Sequence, residues 1–279
     1  MNKICLNGKI ISGDRPVLMA GNRGFRYGDA LFETMKIIKG NIPLEKFHFE
    51  RLLKGLEYLK FEVSPSVNAT KLAAEIIELC EENKCNQLAR VRLTVFRGNG
   101  SLYEDSKETQ YLIECRLLDD SVNELNQNDF LIDIYPDARK SCDKFSNLKT
   151  ANYLPYVMAA LYAKEKKLNE CIILNANERI CDATIANIFL VKNKTISTPS
   201  LSEGCVGGVM RKYLLKELND AGYQTKEKPV TLKDIENADE VFLTNAINGI
   251  RRVSQFRNKI YSSAIAEEIN NRFFKAIFL

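Results

Sequence analysis

The 279-residue sequence contains one histidine and no long apolar run, and each shortage excludes a class of protein. Because His48 is the only imidazole, a Ser-His or Cys-His nucleophilic site would have to use it, yet no nucleophile elbow surrounds it. No segment approaches the roughly eighteen apolar residues of a membrane-spanning helix, and the first residues lack the apolar core of a signal peptide. We therefore expect a cytoplasmic protein without a membrane partner.

Charge and cysteine spacing exclude further kinds of site. A net charge of +4 is small for this length and no concentrated basic stripe is present, so nucleic acid is not an expected partner. The eight cysteines show no paired metal-ligand spacing. With one histidine, a zinc site would need an all-thiolate cluster that this spacing does not offer. We expect reduced thiols and no metal ion.

Apolar content and polar breaks predict the domain organisation. With 45% apolar residues, the chain can bury a large core. Alternating and helical apolar periods predict an α+β fold, and the polar stretch from residue 118 to 129 is typical of a connector between domains. We predict an N-terminal α+β domain over residues 1–118 and a C-terminal, cofactor-binding domain over residues 119–279. Asn7-Gly8 predicts a type I′ hairpin in the first domain. Helices of the second domain are predicted over residues 151–167, 209–221 and 264–278, and Gly222 follows the middle one where a C′ glycine is expected.

Four separated segments contain the groups that a pyridoxal phosphate site requires. Lys149 stands among small and polar residues directly before a long helical pattern, and its amine can act as a nucleophile. Asp182 and Asn187 place a carboxylate and a carboxamide in an otherwise apolar strand. A glycine-rich turn at residues 204–208 opens a helix, and Arg51 adds a cation. The cofactor needs an amine, an anion for its ring nitrogen and donors for its phosphate, and these segments supply all three.

In their chain order, these segments resemble the class IV (fold type IV) pyridoxal-phosphate enzymes. This family includes branched-chain aminotransferases, D-amino-acid aminotransferases and 4-amino-4-deoxychorismate lyases. The segment from Asn22 to Thr34, NRGFRYGDALFET, is similar to the opening signature of the family, and matching blocks run from about residue 22 to 253. The resemblance implies a two-domain fold of the D-amino-acid aminotransferase type, with a smaller N-terminal and a larger C-terminal domain, and pyridoxal 5'-phosphate as cofactor.

The resemblance also implies roles for individual residues around the cofactor. Lys149 would be the catalytic amine, bonded to the cofactor and moving a proton at the substrate Cα. Asp182 stands where the family has glutamate, and it either holds the ring nitrogen or is only a solvated turn residue. Tyr153 either hydrogen-bonds the cofactor or packs as a buried aromatic. The other expected cofactor-binding residues are Arg51, Asn187, Gly208, Val209, Met210, Asn245 and Ala246.

Substrate recognition rests on fewer features. Arg90 and Arg92 share one face of a predicted strand and Arg97 lies at its end, so these arginines either bind a substrate carboxylate or only solvate the strand. Tyr27 and Thr34 fall in the opening signature, near where the family contacts substrate. The substrate is expected to be a small amino acid or a chorismate derivative.

Three functions follow from these residues. We favour class IV aminotransfer acting on branched-chain-like amino acids. The alternative is the lyase that releases pyruvate and 4-aminobenzoate from aminodeoxychorismate, and a non-enzymatic binding role is the third possibility. Residues 25–32 mix aromatics with flanking arginines, which is typical of an interface core, so the chain is expected to form a homodimer; otherwise these aromatics only fill a core strand.

Overall fold

The computed structural model describes residues 2–65, 67–104 and 109–278, and the chain forms two compact units. The first unit contains Met1–Ser121 and Leu148–Asn152. The second contains Val122–Asn147 and Tyr153–Leu279. Both units combine helices with sheets, which confirms the α+β class. The predicted boundary between residues 118 and 119 stays a prediction.

The first unit is built on one sheet of five antiparallel strands. In chain order the strands are β1 (Lys3–Leu6), β2 (Lys9–Ser12), β3 (Ala30–Ile38), β4 (Leu88–Arg97) and β5 (Thr109–Leu117). Their spatial order is β2-β1-β5-β4-β3. The predicted hairpin between β1 and β2 is confirmed: Asn7 and Gly8 have φ of 51° and 81°, the left-handed values that a type I′ turn requires.

Three helices complete the first unit: α1 (Arg23–Tyr27), α2 (Glu45–Tyr58) and α3 (Ala69–Glu82). α3 begins at Asn68, whose side chain accepts a hydrogen bond from the Lys71 amide and so caps the helix. Met35 and Val91 of the sheet pack with Leu56 of α2 and Ile76 of α3 in one buried core. The sheet thus has one face covered by helices, and alternate residues of β3 and β4 point to the other face.

The segment Leu148–Asn152 lies beside β3 and was not predicted to do so. The Phe32 amide donates to the Lys149 carbonyl at 2.9 Å, and the Ala151 amide donates to the Ala30 carbonyl at 2.9 Å. The prediction that a helix begins at residue 151 is therefore wrong. The helix begins at Leu154, because residues up to Ala151 are held in strand-like pairing and Pro155 suits a first helical turn.

The second unit contains two sheets of five strands each. Its strands are β6 (Leu131–Lys140), β7 (Glu170–Asn175), β8 (Ile180–Ala183), β9 (Asn187–Lys192), β10 (Thr195–Pro199), β11 (Thr225–Lys228), β12 (Glu240–Asn245), β13 (Gly249–Arg252), β14 (Gln255–Phe256) and β15 (Lys259–Ile260). One sheet has the order β11-β10-β9-β12-β13 and the other β15-β14-β6-β7-β8. Ile172 and Ile180 of one sheet pack with Ile188 and Val241 of the other, so the two sheets share a core.

Five helices belong to the second unit: α4 (Leu154–Glu165), α5 (Val209–Asp220), α6 (Leu232–Asn237), α7 (Ala264–Ile269) and α8 (Lys275–Phe278). α4 packs its Ala159 and Ala163 against Cys171 and Ile173 of β7. The helix predicted over residues 209–221 matches α5, and Gly222 follows it with φ of 81°, as a C′ glycine should. A π-helical segment at Asn270–Phe274 lies between α7 and α8. Within the described parts of the chain, no helix is long and apolar enough to cross a membrane.

Candidate active site

Lys149 belongs to the first unit, where its backbone is fixed against β3. Its Nζ lies 4.6 Å from the centroid of the Phe32 ring, and the guanidinium of Arg92 lies 3.8 Å from the same centroid. The Asn152 side chain donates to the Gly28 carbonyl at 3.2 Å, which ties the end of the segment to the opening signature. Two cations therefore share one aromatic ring, an arrangement that holds the lysine amine near a second positive charge.

Asp182 lies on β8 in the second unit and is almost fully buried, with 2% of its surface exposed. Its Oδ2 accepts hydrogen bonds from Lys140 Nζ at 3.0 Å, Tyr156 Oη at 2.8 Å and the Val206 amide at 2.9 Å. Its Oδ1 accepts from Asn187 Nδ2 at 3.0 Å. The alternative of a solvated turn aspartate is wrong, because this carboxylate is buried in a strand and held by four donors.

Lys140 and Tyr156 were not predicted as site residues. Burial works to lower the pKa of Lys140, but the Asp182 carboxylate outweighs burial and the pKa is raised. Burial and the same carboxylate raise the pKa of the Tyr156 phenol well above its ordinary value. Both side chains therefore stay protonated as donors to Asp182. Lys140 is the last residue of β6, which continues to it across an irregularity after Ile134.

Asn187 connects this carboxylate to the start of α5. Its Nδ2 donates to Asp182 and, at 2.9 Å, to the Val206 carbonyl. A β-carbon added to Gly208, the N-cap residue of α5, would overlap with Asn187 Oδ1. Only glycine therefore fits at residue 208.

The first turn of α5 can bind an anion. Val209 and Met210 begin the helix, and no side chain from the described part of the chain caps it. A β-carbon on Gly207, just before this turn, would meet nothing closer than 3.6 Å. Uncapped amides at a helix start, together with the positive end of the helix dipole, attract phosphate.

Tyr153 is the N-cap residue of α4 and lies in the second unit. Its hydroxyl donates to the Thr184 carbonyl at 2.8 Å, and its ring stacks on Tyr156 with centroids 4.3 Å apart. The ring is thus fixed over a residue that itself contacts Asp182. Its hydrogen bond to the cofactor stays a prediction.

Arg51 lies on α2 and forms a two-pronged ion pair within the first unit. Its Nε lies 2.7 Å from Glu33 Oε1 and its Nη2 lies 2.5 Å from Glu33 Oε2, while His48 Nδ1 lies 2.7 Å from the latter oxygen. Burial opposes ionisation of Glu33, but Arg51 and His48 outweigh it and lower the pKa of Glu33 to about 2. Glu33 was not predicted. Its carboxylate fixes the orientation of Arg51, whose binding of phosphate stays a prediction.

The three candidate arginines on β4 differ in their surroundings. Arg92 pairs in register with Thr34 and stacks on Phe32. Arg90 lies on the same face, where burial and the neighbouring Arg116 lower its pKa. Arg97, in contrast, lies 2.6 Å from Asp29 Oδ1 and donates to the Leu59 carbonyl at 2.6 Å. Arg90 and Arg92 remain the candidates for a substrate carboxylate, whereas Arg97 is engaged in local structure.

The remaining predicted residues lie in turns or at element ends. Tyr27 ends α1 and is 39% exposed, and Phe25 of the same helix is 75% exposed. These two aromatics therefore do not fill a core strand, although Phe32 does. Asn245 ends β12, and its Oδ1 accepts from the amides of Ile247 and Asn248 at 3.0 and 2.8 Å. The Asn245 side chain thus shapes the turn in which Ala246 lies.

The structure brings the predicted residues together within each unit. In the first unit, Lys149 and Arg92 lie over the Phe32 ring and Thr34 pairs in register with Arg92. In the second unit, Asp182, Asn187 and Gly208 form one contact chain. The family model for aminotransferase class IV matches residues 30–256. The chain belongs to this family. The resemblance inferred from the motifs is confirmed, and the protein is an enzyme of the class IV aminotransferase type, a family that uses pyridoxal phosphate.

Relatives and solved structures agree with this assignment. A Methanocaldococcus jannaschii protein that bears the provisional name branched-chain-amino-acid aminotransferase is 26% identical over 273 residues, which cover 97% of this chain and 93% of that protein. The aminodeoxychorismate lyase of Bacillus subtilis is 27% identical over 272 residues, covering 95% and 90%. The crystal structure of the Thermoproteus uzoniensis branched-chain aminotransferase with norvaline superimposes with a TM-score of 0.88 at 20% identity, covering 99% and 95%. This last likeness establishes the fold type IV architecture.

Proposed function

We propose that this class IV enzyme is a pyridoxal-phosphate-dependent aminotransferase for branched-chain-like amino acids, acting in the cytoplasm as a homodimer. One observation carries the proposal. The Asn187 side chain contacts both the buried Asp182 carboxylate and Gly208 at the start of α5. The single side chain of Asn187 therefore links the carboxylate suited to a ring nitrogen to the helix start suited to a phosphate.

The residues of the second unit fit the two charged ends of pyridoxal phosphate. Asp182 Oδ1 has Asn187 Nδ2 as its donor, while three donors meet at Oδ2. A carboxylate oxygen accepts two hydrogen bonds readily, so Oδ1 is suited to accept one from a protonated ring nitrogen. The amides of Val209 and Met210 suit the phosphate. The bound cofactor supplies a ring that withdraws electrons from the substrate Cα.

The protein's own groups would do the remaining work. The amine of Lys149 takes the proton from the substrate Cα and returns it during transamination, which requires the amine to be neutral for part of the cycle. Arg92 shares the Phe32 ring with Lys149, so a second cationic side chain takes part in the same aromatic contact. Asp182 keeps a proton at the ring nitrogen, and Lys140 and Tyr156 fix the orientation of that carboxylate. Arg90 or Arg92 would bind a substrate carboxylate.

Aminodeoxychorismate lysis is the second candidate. The Bacillus subtilis lyase aligns with 95% of this chain, nearly the share aligned with the archaeal aminotransferase-type relative. The two reactions differ in where a proton is needed. Transamination returns it near the cofactor, whereas the lyase needs an acid near the departing group. Thr34 carries a hydroxyl on β3 in register with Arg92, which is the feature that favours the lyase.

The experiment presents the purified holoenzyme with two sets of substrates. In one set, branched-chain, acidic and D-amino acids are each added without an acceptor, and cofactor absorbance is followed before and after a 2-oxo acid is added. In the other, aminodeoxychorismate is added and pyruvate is measured. We expect branched-chain amino acids to change the absorbance and 2-oxo acids to restore it. Pyruvate release without this cycle would instead establish the lyase, and no response in either set would contradict both.

A further inference from the structure

Three buried cysteines that are far apart in sequence lie close together in the first unit. Cys80 lies on α3, Cys85 follows that helix and Cys115 lies on β5. Their sulfur atoms all lie within 4.8 Å of one another, and the sulfurs of Cys85 and Cys115 are 3.5 Å apart. The three residues are 0%, 2% and 6% exposed. The sequence spacing hides this cluster, because its third member comes from a strand thirty residues after the second.

The backbone at the end of α3 builds the cluster. Lys84 adopts a left-handed φ of 54°, which turns the chain back on the helix, and the Cys85 amide donates to the Cys80 carbonyl at 2.8 Å. The Asn83 side chain then connects the cluster to β1: its Nδ2 lies 3.1 Å from Cys115 Sγ and 2.9 Å from the Lys3 carbonyl. All three sulfurs are therefore positioned by fixed backbone.

The three thiols are not equivalent. The Cys115 sulfur accepts hydrogen bonds from Cys80, which has the largest effect, and from Cys85 and Asn83. Together these hydrogen bonds outweigh burial and lower the pKa of Cys115 to about 6. Burial raises the pKa of Cys85 to about 11, and the pKa of Cys80 is raised well above its ordinary value, chiefly because its proton is shared with Cys115.

We propose that Cys80, Cys85 and Cys115 form a binding site for zinc or a similar soft divalent ion. Zinc–sulfur bonds of about 2.3 Å in a tetrahedral site place the sulfurs about 3.8 Å apart, which lies within the spread of separations found here. A water molecule would occupy the fourth position, since the nearby Leu79 carbonyl already accepts a hydrogen bond from the Asn83 amide at 3.1 Å.

The donor set favours a soft divalent ion. Thiolate sulfur is a ligand that zinc prefers, whereas magnesium and calcium prefer oxygen ligands. Binding forms three sulfur–metal bonds, and the thiol protons leave to solvent. The ion would hold α3 to β5 and stabilise the first unit.

Metal analysis of the full-length holoenzyme tests this site. After incubation with zinc and dialysis, we expect one zinc per wild-type chain and none in Cys85→Ala or Cys115→Ala. Two matched controls each remove a cysteine outside the cluster and should keep one zinc: Cys142→Ala removes an exposed thiol and Cys171→Ala a buried one. The proposal would be overturned if the wild-type protein held no zinc. It would also be overturned if a control variant lost its zinc while Cys85→Ala and Cys115→Ala kept theirs.

Spectroscopy on the wild type keeps the test informative if a variant fails to fold. Cobalt(II) should bind with one equivalent and give sulfur-to-metal charge-transfer absorbance. Zinc should displace it and raise the unfolding temperature. Cobalt binding without charge-transfer absorbance would show ligands other than sulfur and would contradict the site.

Discussion

The ammonium group of Lys140 lies 3.0 Å from Oδ2 of Asp182, with 13% and 3% of the two side chains exposed. The sequence resemblance implied a glutamate at this position, and this chain has the shorter aspartate. Here a buried cation, a phenol and a backbone amide hold the carboxylate from one side, which leaves its other oxygen with Asn187. The shorter side chain is thus fixed in place by partners from β6 and α4.

Replacing Asp182 with asparagine should lower the turnover rate without removing the bound cofactor. We expect Asp182→Asn to retain the cofactor but to lose turnover by about 100-fold, because a neutral amide cannot stabilise a positive ring nitrogen. The amide also leaves Lys140 buried without its counter-ion. Steady-state rates and the absorbance of bound cofactor measure the two effects. Asp239→Asn, an exposed carboxylate paired with Lys192, is the control, and wild-type turnover in Asp182→Asn would remove this role.

Lys149 should be required for the colour of the protein. We expect the purified wild type to be yellow and Lys149→Ala to lose the visible absorbance, because the amine is the group that bonds the cofactor. Lys167→Ala, on an exposed turn after α4, should keep the absorbance. Absorbance spectra of equal protein concentrations provide the comparison. A colourless wild type with no affinity for pyridoxal phosphate would contradict the enzyme's proposed cofactor.

The exposed aromatics of α1 predict a dimer that contributes to activity. Sedimentation at micromolar concentration should show two chains, and Tyr27→Ala should lose activity while keeping the cofactor, because Tyr27 is expected to contact substrate and not the cofactor. Tyr58→Ala removes another exposed tyrosine, 48% exposed on α2, and should be neutral. A fully active monomer would show that one chain suffices.

Glu33 should make the first unit sensitive to acid. Its pKa is lowered from 4.5 to about 2, so it stabilises the folded state fully above about pH 4.5 and loses this contribution as the pH falls towards 2. A shift of this size corresponds to about 3 kcal/mol. Glu33→Gln should therefore lower the free energy of unfolding in urea at pH 7, and the difference from wild type should shrink near pH 3. The exposed Glu82→Gln should show no comparable change, and a difference independent of pH would contradict the ion-pair explanation.

The sequence predicted those parts of the fold that depend on neighbours in the chain. The Asn7-Gly8 hairpin, the cap glycine at 222 and the long strands and helices follow from local turn chemistry and apolar period. The two-residue strands β14 and β15 are too short to show any period, and the helix start at residue 151 was wrong because pairing with β3 outweighs the helical pattern.

The partners of the site residues were beyond prediction for a physical reason. Lys140 and Asp182 are separated by 42 positions, and Arg51 and Glu33 by 18. Ion pairs of this kind form only when separate strands and helices have packed, and no spacing in the chain encodes them. The motif residues Lys149, Asp182 and Arg51 could be recognised, whereas the groups that set their charge and orientation could not.

The five residues Leu148–Asn152 join the first unit although both of their flanks belong to the second. On a ribosome, β3 therefore emerges more than a hundred residues before the segment that completes its edge. Neither unit can be excised as one continuous fragment without losing this edge or breaking the chain around it. A fragment ending at residue 121 should accordingly expose the edge of β3 to pairing with other chains.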